Sequence, residues 1–168
     1  MQFRVLAAAA AAIALSQAAQ ASDGTITFNG NLVASTCTIT GGGNQTVTLP
    51  TLSTSTLASA GATAGDTLFT IALTGCTGTQ ATTFFEAGAN TDATTGRLKT
   101  NATNVQIQLL TDAAVVVNLA GAAGSQNIGT VDTSTGSGSQ SFIARYYATG
   151  ATSAGAVSSS VTYSMIYN

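Results

Sequence analysis

The side chains able to do acid–base, nucleophilic or metal chemistry are few in this 168-residue chain, and they are scattered. There is no histidine, so a serine or cysteine nucleophile would lack its usual base. Lys99 is the sole lysine, and nothing marks a partner serine for it. The acids Asp66, Glu86, Asp92, Asp112 and Asp132 are dispersed and border turn-rich stretches, which reads as solvated loop residues rather than a paired-carboxylate site. Gly41-Gly42-Gly43 lacks the following Lys-Ser/Thr and the strand–helix context of a phosphate loop, so it reads as a flexible turn. Two thiols without histidine or a CxxC spacing make no zinc site. The expectation is a chain that is not an enzyme and holds no cofactor or metal. With only four basic residues against six acidic ones, it also has no patch to grip phosphates, so nucleic acid is not an expected partner.

The remaining candidates for chemistry are Cys37 and Cys76, and their context is export. Met1 to Ala21 carries Arg4, an apolar stretch from Val5 to Leu15, and Ala19-Gln20-Ala21 as a small-x-small cleavage site. The apolar stretch is about half of the roughly 20 residues that a membrane span needs. Residues 1–21 therefore read as a cleaved signal peptide, with maturation at Ser22 and no membrane span beyond it. An even cysteine count in an exported chain implies a Cys37–Cys76 disulfide.

The elements that must position these residues are strands. Charged residues make up 6% of the chain and apolar ones 45%, and the apolar ones recur with a period of two. Alternation is expected at Thr25–Phe28, Val47–Leu49, Thr67–Leu73, Phe84–Phe85, Val105–Leu109, Val115–Leu119, Phe142–Tyr146 and Val157–Tyr167. Turn-rich stretches separate them, including 41–44, 59–66, 88–96, 121–126 and 134–140. A helical turn or two fits Leu52 to Gly61. Short strands with Gly-rich turns imply an antiparallel β-sandwich.

The two ends of the mature chain carry the functional signal. SDGTITFNGNLVASTC is patterned as a half-buried strand, with Ile26, Phe28, Gly30 and Leu32 on one face, just before Cys37. An arm of about 13 residues reaches roughly 40 Å. Such an arm suggests β-strand addition to another molecule. From pattern alone the alternative stays open that residues 26–32 form the first strand of a complete sandwich, with Tyr163, Met165 and Tyr167 as ordinary core residues.

The C-terminal GAVSSSVTYSMIYN places Gly155 fourteenth from the end and Tyr167 penultimate, with alternating apolar residues between. Together with TITFNGNLVASTC, LFTIALTGC, GRLKTNATNVQIQLL and SFIARYYAT, in that order, it resembles the chaperone–usher pilins, and the type 1 major fimbrial subunits in particular. The resemblance spans residues 22–168. It implies an all-β, incomplete immunoglobulin-like sandwich lacking its final strand (residues 35–168), preceded by a donor-strand extension (residues 22–34). Ile26, Phe28, Gly30 and Leu32 would be the donor residues. Gly155, Val157, Val161, Tyr163, Met165, Tyr167 and Asn168 would form the strand that a periplasmic chaperone and later a sister subunit pair with. The partners implied are other pilin subunits, the chaperone and an outer-membrane usher. The location implied is a fimbrium on the bacterial surface, reached through the periplasm. The implied function is that of a shaft subunit polymerising by donor-strand exchange for cell adhesion. A minor or adapter pilin is one alternative; a secreted carbohydrate-binding β-sandwich is the other, disfavoured by the absence of Trp.

Overall fold

The computed structural model describes residues 26–29 and 36–167. The signal-peptide reading, donor positions Gly30 and Leu32, and Asn168 lie outside the described residues. The chain divides into two units, residues 1–32 and 33–168. In the first, Ile26 and Phe28 are exposed, at 80% and 89%.

Among its described residues the second unit contains eight strands: β1 (Thr38–Ile39), β2 (Thr63–Thr74), β3 (Gln80–Glu86), β4 (Leu98–Lys99), β5 (Val105–Thr111), β6 (Val131–Asp132), β7 (Ser137–Ala148) and β8 (Thr162–Tyr167). They form two antiparallel sheets. One has the order β1-β2-β7-β5-β4 and the other β6-β3-β8. A 3-10 turn at Thr54–Leu57, whose first free amides are served by the Ser53 side chain through Ser55, falls where the helical turn was expected.

The period of two places the core. On β2, Ile71 and Leu73 are buried and Phe69 lies partly buried on the same face. Phe142 and Ala144 of β7 and Ile107 and Leu109 of β5 join them from the same sheet, and Ala81 and Phe85 of β3 from the other. Phe142 links the layers. It stacks on Phe69 at 5.6 Å and meets Phe85 edge-on at 5.1 Å, the offset and T-shaped contacts that aromatic rings prefer. The outer face of the larger sheet is polar in its middle. Arg145 donates to Gln108 Oε1 at 2.8 and 2.9 Å, and Arg97 lies 3.8 Å from the Tyr147 ring centre.

Three expectations need correction. Val115–Leu119 is not a strand. Ala114 turns the chain with φ 60°, a single bridge joins Leu110 to Val116, and the Leu119 amide then bonds to Gly96. The segment still buries Val117 and Leu119, so its alternation reports core-facing side chains without a ladder. The long C-terminal alternation forms a strand only from Thr162, because residues 158–160 are tied by side chains and backbone to Asn90, Lys99 and Asn101. Finally, β2 and β7 both start inside stretches read as turns. Thr63 and Ala64 pair with Tyr147 and Tyr146 across a register shift, where Gly65 adopts φ 80° with the Tyr146 ring against it. Ser137 to Gln140 pair with Thr74 to Ile71 despite their polarity, since their neighbours on β2 fix the register.

Candidate functional site, an open edge and the groove beside it

β8 is the terminal strand of its sheet. It pairs with β3 along six rungs, Ala81↔Tyr167 through Glu86↔Thr162. Among the described residues no strand pairs with its other side. The backbone amides of Thr83 and Phe85 are bound on the side of β3 away from β8. Antiparallel rungs alternate between hydrogen-bonded and non-bonded pairs. Thr83↔Met165 and Phe85↔Tyr163 are therefore non-bonded rungs. The N–H and C=O groups of Tyr163 and Met165, and by the same alternation those of Tyr167, point out of the sheet.

Those of Tyr163 face a groove of about 790 Å³, whose lining stops short of Met165 and Tyr167. One wall is the segment from Ile39 to Leu49, which includes Val47 and Leu49; the other is Val157, Val161 and Tyr163. Its floor is core: Phe69, Ile71, Phe85, Leu98, Ile107 and Leu109. The larger sheet thus shows part of its apolar face at the place where a further strand of the smaller sheet would lie. A subunit left this way exposes both apolar surface and an unpaired edge, the two features that invite strand addition.

The walls are joined at two points. Tyr163 Oη donates to Gly43 O at 2.7 Å, and Tyr167 Oη lies 3.5 Å from Cys37 O, a long contact. Burial raises the Tyr163 hydroxyl pKa above its usual value, so the phenol keeps its proton. Cys37 is bonded to Cys76, which fastens the root of the first wall to the loop between β2 and β3. Backbone bonds flank that staple, Thr77 N to Thr36 O at 3.1 Å and Thr36 N to Thr77 Oγ1 at 3.2 Å.

The structure brings Val157, Val161 and Tyr163 together on the groove, with Met165 and Tyr167 continuing the same strand against the core. Gly155 lies outside that lining, in the exposed loop before it. Sequence reasoning gave no role to the opposite wall beyond one short alternation at Val47 and Leu49. The acids shape turns. Asp92 accepts from Gln106 Nε2 and from the Thr94 and Thr95 amides, bonds that hold its carboxyl below the usual range. No group of three or more His, Cys, Asp or Glu is placed to hold a metal among the described residues.

A sandwich with an apolar groove along one unpaired edge is the architecture of a pilin subunit. The sequence profile of the family described as FimA, "Type-1 fimbrial protein, A", matches residues 49–168, and the chain belongs to that family of structural fimbrial subunits, which is not an enzyme class. It is 47% identical over 163 residues to "Major fimbrial subunit SMF-1" of Stenotrophomonas maltophilia (strain K279a), covering 90% of this chain and 96% of that one. It is 45% identical over 168 residues to "F17 fimbrial protein" of Escherichia coli, covering 93% of each. The fold is similar to that of the P pilus rod subunit PapA. The TM-score is 0.62 at 20% identity, over 79% of this chain and 99% of that one.

Proposed function

We propose that this structural pilin polymerises by donor-strand exchange, with residues 22–34 of one copy filling the groove beside β8 of the next. The observation that carries this reading is the row of backbone groups on Tyr163, Met165 and Tyr167 that faces away from β3, with a groove floored by core side chains at its Tyr163 end. A strand laid there would complete the ladder, at about 0.5–1.5 kcal/mol per backbone bond. Ile26, Phe28 and Leu32 would each add roughly 1.5–3 kcal/mol by burial, and Gly30 would allow close approach where the groove is tightest. Arm and groove are different surfaces, so the contact does not close on itself and repetition yields a filament.

Before assembly the same edge needs a temporary strand. A periplasmic chaperone would supply it and hold the carboxylate of Asn168, and an outer-membrane usher would then catalyse the exchange. The signal peptide at residues 1–21 provides the route to the periplasm. The similarity to major subunits favours a shaft role over an adapter, in a fimbrium at the cell surface that serves adhesion. No catalysis is proposed.

Phe28→Asp tests the reading. It puts a charge where an apolar pocket awaits Phe28, while β8 and the groove are unchanged. Filaments seen by electron microscopy should disappear, and the subunit should still be captured by its chaperone. Filaments of normal length from this variant would refute the proposal.

A further inference from the structure

The sheet β6-β3-β8 has a second edge, on β3, and it is closed in an unusual way. β6 pairs with β3 only at Gln80↔Asp132 and Ala81↔Val131. Beyond those rungs the chain from Asp132 back to Gln126 runs beside β3 without joining the ladder. Two glutamine side chains fill the gap. Gln140, reaching over from β7, accepts from Thr83 N at 2.7 Å and from Thr83 Oγ1 at 2.6 Å, while its Nε2 donates to Gly129 O. Gln126 accepts from Phe85 N at 3.0 Å and donates to Phe85 O at 2.7 Å, with a further bond to Gly121 O at 3.1 Å.

A primary amide has the donor and acceptor of a peptide group. At Thr83 the amide of Gln140 therefore stands between two backbones that would otherwise pair directly, as a one-amide spacer. At Phe85 the amide of Gln126 replaces the partner residue outright. Thr83 and Gln126 are both 2% exposed, so these groups have no recourse to water, and leaving them unpaired would cost the full desolvation penalty.

We infer that Gln126 and Gln140 are specificity-determining residues for strand addition, because they seal the β3 edge and leave β8 as the one edge of this sheet that takes a strand. The inference rests on the donor-strand reading above. The rungs Thr83↔Met165 and Phe85↔Tyr163 make the point directly: each turns one residue's backbone groups outward at β3 and the other's outward at β8. At β3 a side-chain amide meets those groups; at β8 an open groove does. A sheet with two accepting edges would bind two arms per subunit, and the polymer would branch or bundle. A sheet with one accepting edge grows as an unbranched fibre.

The test uses the full chain, as filaments and before assembly, with a fluorescent peptide of residues 22–34 as probe. Wild-type filaments should bind essentially none of it, because the groove is filled and the β3 edge is sealed. Filaments of Gln126→Leu with Gln140→Leu should bind up to about one peptide per subunit and should bundle or branch in electron micrographs. Folded double-variant filaments that stay unbranched and bind no peptide would overturn the inference.

Residue-resolved hydrogen exchange on the wild-type chain, compared as the chaperone-free subunit and as the filament, decides the matter even if the double variant does not fold. The amides of Thr83 and Phe85 should be protected both before assembly and in filaments. Those of Tyr163 and Met165 should slow by roughly tenfold or more only on assembly. Thr83 and Phe85 amides that exchange freely before assembly would overturn the sealing role. No change at Tyr163 and Met165 on assembly would instead overturn the donor-strand reading itself, so the two failures are distinguishable.

Discussion

β7 and β8 use the same two-residue period and reach opposite states. β7 is paired on both sides, with β2 along ten rungs and with β5 along seven. Its core-facing Phe142, Ala144 and Ala148 are buried, while Tyr146 on the same face lines the groove and is partly buried. β8 is paired on one side, and its core-facing Tyr163, Met165 and Tyr167 stay only partly buried although they pack against the same cluster. The residues of β8 are at least as apolar as those of β7. What differs is the neighbour. Incomplete burial on β8 thus accompanies its unpaired side.

That contrast can be broken or sharpened by substitution. The largest effect on the unassembled subunit should come from Phe85→Ala. Phe85 touches both Phe142 and Tyr163, at 5.1 and 6.4 Å, and its loss removes the contact that couples the finished part of the core to the unfinished part. A destabilisation of about 3–5 kcal/mol is expected, seen in denaturant unfolding. Less than about 1 kcal/mol would show that the two parts are energetically independent.

Cys37→Ser together with Cys76→Ser should cost about 2–4 kcal/mol, the usual range for a bridge, with its loop of 39 residues on the high side. A thermal melt of the variant checks it, and an unchanged melting temperature would show that the staple contributes nothing to the fold.

Met165→Ala distinguishes the two strands most directly. In the unassembled chain its cost should fall below the roughly 2–5 kcal/mol of a fully buried methionine. In the filament, once a donor strand covers the groove, the cost should rise to that range. Equal costs in both states would mean that β8 gains no cover on assembly.

The smallest effect should come from Tyr163→Phe, which removes one hydrogen bond to Gly43 and costs about 0.5–1.5 kcal/mol. Burial of the same hydroxyl sets an alkaline limit. Burial raises the Tyr163 pKa in the folded state, so its contribution is fully present below the ordinary value of 10.0 and is lost as the pH rises through the folded value. Wild type should thus lose stability above about pH 10 more steeply than Tyr163→Phe. Parallel pH profiles would count against the burial of that hydroxyl.

Much of this was legible from the residues. Long strands with one buried face announce themselves by alternation, so Phe69, Ile71, Ile107, Leu109, Phe142 and Ala144 were all expected where they stand, and the C-terminal run pointed to β8. The two-residue strands β4 and β6 carry too few positions to show a period. The wall from Ile39 to Leu49 was legible only at Val47 and Leu49, because its Gly-rich start gives no alternating pattern. Gln126 and Gln140 were invisible for another reason. Each lies at the end of a turn-rich stretch, where a glutamine reads as solvated, and only the packing of the chain brings their amides against the backbone of β3.

The Cys37–Cys76 bridge has a mechanical consequence. A pull arriving along the chain from the N-terminal side reaches a covalent link to the loop between β2 and β3 before it reaches the wall of the groove. Tension is then borne by a sulfur–sulfur bond and passes to the loop between β2 and β3, while the segment after Cys37 that shapes the pocket stays out of the line of force. In a fibre joined as proposed, such units could be stretched hard without their sockets being prised open from the tethered end.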